Sequence, residues 1–263
     1  MKAILSVFRL RVREELQYRG AVIGGIICQA FFGLILVSVY RALYETRPQT
    51  LPLQQVVNYV WLQQAFFRMM LGFDGELNEK IRTGSFAYDL CRPLEVYWYY
   101  YARNMAIKLV GSVMRSVPMI VLALLLPEGW GLRAPASFPA LVCALVSLGL
   151  GLLNTCAMAS ITTGFTVRTL DGRGIESALN LLMMTFSGNL IPLTLFPDSW
   201  QTVIRLTPYA QMLDAPIRIY CGEQALATAP AIWLIQAVWA GLLILAGKAL
   251  WDSNQKRITV QGG

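Results

Sequence analysis

The stretch AVIGGIICQAFFGLILVSVY, residues 21–40, decides the fold class, because it contains no charged residue and is long enough to cross a hydrocarbon core of ~30 Å. The composition of the whole chain also indicates a protein that lies in a membrane. The 263 residues are 56% hydrophobic and 14% charged, whereas a soluble domain carries roughly 25% charged residues. Much of the surface must therefore face lipid, and the sequence predicts an all-α integral membrane protein.

Further apolar segments follow the first one. We predict a single transmembrane domain over residues 1–263 with six transmembrane helices. The predicted spans are 21–40, 53–73, 104–126, 140–165, 177–195 and 229–250. Residues 192–223 contain Pro192, Pro197, Pro208 and Pro216 among apolar residues, which is incompatible with one straight helix. Short external re-entrant helices between spans five and six fit this segment best.

The first twenty residues are basic and amphipathic. Ile4, Leu5, Phe8, Val12 and Leu16 recur at helical spacing between arginines. Residues 1–20 are therefore predicted to form an interfacial helix, with a cleaved signal peptide as the competing interpretation. Most Lys and Arg residues that flank the predicted spans fall on the side of the N-terminus, so the positive-inside rule places both termini in the cytoplasm.

Several classes of chemistry are disfavoured. The chain has no histidine and no GxxxxGK[ST] loop, and its five cysteines lack metal-site spacing. We expect no catalytic, cofactor-binding or metal-binding residue. The net charge of +7 would suggest nucleic acid in a soluble protein. In a membrane protein the same charge follows from basic cytoplasmic loops, so we expect no nucleic-acid partner.

Polar residues mark three places where function is expected. Gln54, Gln55 and Asn58 lie on one side of the second span and are candidates to line a path, or else to hydrogen-bond to neighbouring helices. Arg115 falls inside the third span, which means that the helix begins later or that Arg115 faces protein. Asp198, Arg205, Asp214 and Arg218 are charges at the predicted outer boundary, where surface neutralisation is the default interpretation.

Two stretches carry a family resemblance. IRTGSFAYDLCRPLEVYWYYYAR (Ile81–Arg103) has a glycine followed by a leucine and an Arg-Pro after the second span. SGNLIPLTLFPDSWQTVIRLTPYAQMLDAPIRIYCGE (Ser187–Glu223) has a Ser-Gly, Pro, Phe-Pro and Pro-Tyr series before the last span. With the six-span layout, the chain resembles the type-2 ATP-binding-cassette (ABC) exporter permeases, in particular the short branch of about 260 residues.

The resemblance implies roles for these segments. Residues 74–96 would be the cytoplasmic coupling region that docks on an ATPase, or alternatively a solvated loop. Its candidate residues are Glu76, Glu79, Lys80, Ile81, Arg82 and Gly84. Residues 192–223 would close the outer end of the path, or serve as a structural cap. The candidate gate residues there are Pro192, Phe196, Pro197, Trp200, Pro208 and Tyr209.

The expected partners follow from the same resemblance. They are ABC ATPase subunits that carry ATP and Mg, a second permease chain (identical or homologous), membrane lipid, and an amphipathic small-molecule, lipid or peptide substrate. The expected location is the bacterial cytoplasmic (inner) membrane. Two other functions stay open. An ion-coupled secondary transporter usually needs ionisable groups at the bilayer midplane, and no acidic residue lies inside a predicted span. The second open function is that of a non-transporting membrane scaffold or immunity protein.

Overall fold

A computed structural model of the chain describes residues 2–46, 51–70, 75–91, 93–169 and 173–255. All regular structure in these ranges is helical. The helices are α1 Lys2–Glu15, α2 Arg19–Thr46, α3 Leu53–Ala65, α4 Phe67–Met70, α5 Gly75–Arg82, α6 Phe86–Leu90, α7 Val96–Leu125, α8 Phe138–Thr169, α9 Arg173–Phe186, α10 Asp198–Leu206, α11 Pro208–Met212, α12 Asp214–Cys221 and α13 Ala229–Gln255.

Four segments of the described chain are long and apolar enough to cross a membrane. They are Arg19–Thr46, Val96–Leu125, Phe138–Thr169 and Leu226–Asn254. They coincide with the predicted spans one, three, four and six, which confirms these as apolar helices. Each helix extends beyond its predicted range, most clearly α7, which begins at Val96 rather than Asn104. The aromatic cluster 97–101 is therefore part of this helix.

The other two predicted spans are shorter in the structure. The second divides into α3 and α4 at Phe66, and its last residues, 71–73, lie outside the described ranges. The fifth is α9, which begins earlier than predicted, at Arg173, and ends at Phe186. Residues 187–192 after it are irregular, and Leu193–Leu195 form a 3-10 turn. Crossing of the membrane by these two segments stays a prediction.

The core of the fold is the pair α8 and α13, which pack along each other, with α7 and α12 against α8. Glycines permit the closest approaches. A Cβ on Gly164 would lie 2.9 Å from Leu250 on α13. The second half of α8 is rich in Ser and Thr, and hydroxyls such as those of Thr155, Ser160 and Thr163 donate to the carbonyl four residues earlier. These bonds satisfy polar side chains inside an otherwise apolar helix.

The N-terminal helix α1 packs along α7. Its predicted apolar side is divided in the structure. Ile4, Phe8 and Val12 are half-buried, whereas Leu5 and Leu16 are exposed. Part of the apolar face is therefore used for packing within the chain. The described helix ends at Glu15, five residues before the predicted end of the interfacial segment.

Candidate functional site

The charged segment, residues 75–95, lies at the α13 end marked by Lys248 and Trp251. Its first helix, α5, carries Glu76, which forms ion pairs with three basic residues. Arg103 of α7 donates a hydrogen bond to Glu76, Arg11 of α1 lies 3.6 Å from it, and Lys80 lies 3.5 Å from it. The Arg103 bond lowers the pKa of the Glu76 carboxyl below its usual value. Glu76 thus joins α1, α5 and α7.

A second charge links α5 to α6. Lys80 Nζ lies 2.9 Å from Oδ2 of Asp89, and the Tyr100 hydroxyl donates to the same oxygen across 2.6 Å. Asp89 is 4% exposed, so this carboxylate is held by partners rather than by water. Phe86 contacts both Tyr100 and Trp251, with ring centroids 6.1 and 6.3 Å away, and these two rings stack on each other at 5.6 Å. The segment is therefore anchored to both α7 and α13.

The predicted coupling residues share one short helix and its end. Glu76 and Lys80 face each other one turn apart, and Glu79 is exposed. Ile81 and Arg82 close α5, and their side chains lie outside the description. Gly84 has a φ of +74°, which favours glycine, and separates α5 from α6. The geometry brings these residues together, and their role in docking an ATPase stays a prediction.

The predicted path residues contact a loop of the same chain. Gln54 donates to Oδ1 of Asn58 at 3.0 Å and to the carbonyl of Gly131 at 2.9 Å. The same Asn58 oxygen accepts from the backbone of Arg133 at 2.8 Å. Gln55 is half-buried, and its carbonyl faces Cys221. These bonds pack α3 against the loop after α7 rather than against a neighbouring helix. A path-lining role stays a prediction.

The proline-rich segment, residues 192–223, contacts the first half of α13 and of α8. The Trp239 indole of α13 donates to the carbonyl of Leu206 at 2.9 Å. A Cβ on Gly151 would lie 2.3 Å from the carbonyl oxygen of Met212. Gly151 is about 20 Å along α8 from Phe138, at a rise of ~1.5 Å per residue. The segment therefore reaches well along both long helices.

The predicted gate residues delimit the short helices of this segment. Pro192 precedes the 3-10 turn, Phe196 ends it, Pro197 precedes α10 and Pro208 begins α11. Trp200 and Tyr209 line an apolar cleft of about 470 Å³ together with Phe186 at the end of α9. The structure thus places two of the six gate residues in one cleft, while the prolines set where the helices start.

A buried acidic residue in this segment was not predicted. Asp214 is 1% exposed and accepts from the Tyr59 hydroxyl of α3 at 2.7 Å. Arg218 lies 3.7 Å from Asp214 and 3.3 Å from Glu223. Burial raises the pKa of both carboxyl groups. Surface neutralisation was the wrong interpretation for Asp214 and Arg218. The i, i+4 spacing of Asp214 and Arg218 is a sequence signal for their mutual pair. Their partners Tyr59 on α3 and Glu223 after α12 follow no helical period, so the sequence did not indicate these.

A second polar centre was also missed. Gln236 of α13 is fully buried and donates to the carbonyls of Ser147 and Gln211, at 3.0 and 2.8 Å. It accepts from the Ser147 hydroxyl at 3.0 Å, and Asn154 donates to its carbonyl at 2.9 Å. These bonds join α8, α13 and α11. A single glutamine in an apolar span is the sequence signal that could have indicated the contact.

Comparison with known proteins identifies the family. A sequence profile described as ABC-2 family transporter protein matches residues 50–262, which include both the charged and the proline-rich segments. The chain belongs to the ABC-2 family of transporter proteins. A comparison with curated proteins returned no match.

The family assignment confirms the resemblance found in the sequence. This ABC-2 protein is a multi-pass membrane permease, and the family consists of transport subunits that are not themselves catalytic. Membership also implies association with ABC ATPase partners. The coupling, path and gate residues named above belong to the described permease fold, and their individual roles are addressed below as proposals.

Proposed function

We propose that this ABC-2 protein is the transmembrane subunit of a bacterial exporter, paired with a second permease chain and driven by separate ATPase subunits. The single observation that carries the proposal is the family match over residues 50–262. ATP and Mg would be bound by the partner ATPase. The substrate would be amphipathic, a drug-like molecule, lipid or peptide, since the helices that would form a path are mostly apolar.

The proposed topology has six spans, with both termini on the cytoplasmic side of the inner membrane. α3–α4 would form the second span and α9 the fifth. The charged and proline-rich segments contact different halves of α13, at Trp251 near its end and at Trp239 in its first half. This separation supports one segment as the cytoplasmic coupling region and the other as the external re-entrant part. The reach of Met212 along α8 also favours a re-entrant segment over a surface loop.

The coupling role of α5 is supported by its attachment. An element that transmits force must be fixed to the helices that move, and Glu76 and Asp89 tie the charged segment to α1 and α7. Gln54, Gln55 and Asn58 are proposed to lie beside the path, and the cleft of Trp200 and Tyr209 at its outer end. A ligand that binds one arrangement of these helices better than another would shift their populations.

Co-purification tests the proposal. A tagged chain extracted in detergent should bring down hydrolysis-competent ATPase subunits. Replacement of Glu79, Lys80 and Arg82 together by alanine should abolish this capture. Transport by the chain alone in ATP-free liposomes would contradict the exporter assignment, and undiminished ATPase capture by the triple variant would contradict the coupling assignment.

Lys80 also holds Asp89, so the triple variant changes the fold of the segment as well as its surface. A sharper variant is Glu79→Arg, which reverses a charge on an exposed residue. Charges at an interface mainly set partner choice and association rate. Capture of the ATPase should fall, and the unfolding temperature of the isolated chain, measured in parallel, separates loss of docking from loss of folding. Asp252→Asn, on an exposed residue of α13, is the matched control.

A further inference from the structure

One face of α7 carries basic residues inside the bilayer-spanning part of the chain. Lys108, Gly111 and Arg115 are spaced at three and four residues, so they lie along one stripe of the helix. The side chain of Arg68 from α4 lies over Gly111, where an added Cβ would be 3.1 Å from its Cγ. The stripe therefore gathers two guanidinium groups and one ammonium group within three turns of α7.

Arg115 points at the beginning of α2. Its guanidinium fills the space left by Gly25, where an added Cβ would lie 2.6 Å from Cζ. Its Nη2 donates to the carbonyl of Ala21 at 3.2 Å. Its Nε is buried and has no hydrogen-bond partner in the described part of the chain. Arg115 thus reaches back to the first turn of α2, which answers the question that its position inside a span raised.

The groups around this point favour an anion. Arg68 lies over Gly111, and Arg115 lies one turn further along the same stripe of α7, so two guanidinium groups occupy neighbouring turns of the helix. The buried Nε–H of Arg115 has no acceptor in the described part of the chain. A buried donor without an acceptor is costly, and an anion beside Arg115 would supply one.

We propose that Arg115, assisted by Arg68, binds the phosphate group of an anionic amphiphile that enters beside the first turn of α2. A guanidinium presents a planar fork of N–H donors that matches phosphate oxygens, and such charged pairs are strong. Ala21 and Gly25 follow the junction of α1 and α2, and exposed Arg9 and Arg13 of α1 add positive charge nearby in sequence. A polar head placed there leaves its acyl chains beside exposed Ile23 and Ile27 of α2.

The phosphate has two possible sources, a lipid headgroup and inorganic phosphate, which a binding experiment separates. The purified full-length chain in neutral detergent is titrated with dioleoyl phosphatidylglycerol, with phosphate-free dioleoylglycerol and with inorganic phosphate. Native mass spectrometry and the unfolding temperature report binding. Phosphatidylglycerol should bind and raise the unfolding temperature, and dioleoylglycerol should not. An equal response to inorganic phosphate would assign the site to any phosphate, and its failure to respond would assign it to a lipid headgroup.

Two variants test the residue assignment. Arg115→Gln should weaken phosphatidylglycerol binding by about tenfold or more, the effect expected for loss of one charged hydrogen-bonded pair. Gly25→Ala leaves every charge in place but displaces the guanidinium, and it should weaken binding in the same direction. Arg133→Gln, beyond the other end of α7, is the control and should bind as the wild type does. Equal stabilisation by dioleoylglycerol, or undiminished binding by both Arg115→Gln and Gly25→Ala, would overturn the proposal.

Discussion

Tyr59 donates its hydroxyl proton to Oδ1 of Asp214 across 2.7 Å, and this bond joins α3 to the first turn of α12. Both residues are 1% exposed, so water does not compete for either group. A buried carboxylate that loses its donor carries the full cost of desolvation. The phenol of Tyr59 therefore helps to hold the proline-rich segment against α3.

Removal of the Tyr59 hydroxyl should weaken the contact between α3 and α12. Tyr59→Phe is expected to lower the free energy of unfolding by about 1–3 kcal/mol, because Asp214 is left with Arg218 at 3.7 Å as its remaining described partner. Denaturant unfolding of the purified chain in detergent measures the change. Tyr88→Phe, on a residue that is 78% exposed, is the control and should change stability by less than about 0.5 kcal/mol.

A neighbouring glycine makes the contact between α3 and α12 sensitive to added side-chain volume. Gly188 has a φ of +78°, and an added Cβ would lie 2.0 Å from the Tyr59 hydroxyl oxygen. Gly188→Ala should cost more than Tyr59→Phe, and the two changes should be non-additive because the phenylalanine removes the clashing atom. A double-mutant cycle in the same unfolding assay tests this. Gly149→Ala, with open space around its α8 position, should instead be neutral or stabilising.

The long helices were predictable because their signal is local. Residues 21–40 and the Leu-, Gly- and Ala-rich stretch of α8 need only length and lack of charge to indicate a span. The start of α9 was placed too late because Arg173 and Glu176 were assigned to a loop, although they form its first turn. Asp214 was misinterpreted for a different reason. Its partner Tyr59 is 155 residues away, and periodicity carries no information about such contacts.

The stability that Asp214 contributes to the contact between α3 and α12 depends on pH with a definite sign. Burial raises the pKa of Asp214 above its unfolded value of 3.8, so the folded state binds a proton more tightly than the unfolded state. The stability contributed by the protonated form is complete below pH 3.8 and is lost as pH rises through the folded pKa. Asp214→Asn should therefore gain stability relative to the wild type as pH rises across that range. Unfolding temperatures of both proteins between about pH 4 and about pH 8 measure the difference.

The pKa of Glu76 in the charged segment shifts in the opposite direction. Arg103 lowers the pKa of Glu76, so the stability from its ion pairs is present above the unfolded pKa of 4.5 and is lost as pH falls through the folded value. Glu76→Gln should remove this acid sensitivity and detach α5 from α1 and α7. Proteolysis within residues 75–95 should become faster in the variant at neutral pH. An unchanged cleavage rate would mean that the contacts of Asp89 and Phe86 are enough to hold the segment.

Gln236 should fix the proline-rich segment to α8 and α13. Gln236→Leu keeps the volume of the side chain but leaves the carbonyls of Ser147 and Gln211 without their shared donor. Hydrogen bonds between membrane helices contribute about 0.6–2 kcal/mol each, so a loss of about 1–3 kcal/mol is expected. A cysteine introduced at buried Ala210 of α11 should also react faster with a thiol reagent in the variant, because α11 is released from α13. Gln224→Leu, outside this network, supplies the control, and equal labelling rates in the two variants would show that α11 is held by apolar contacts instead.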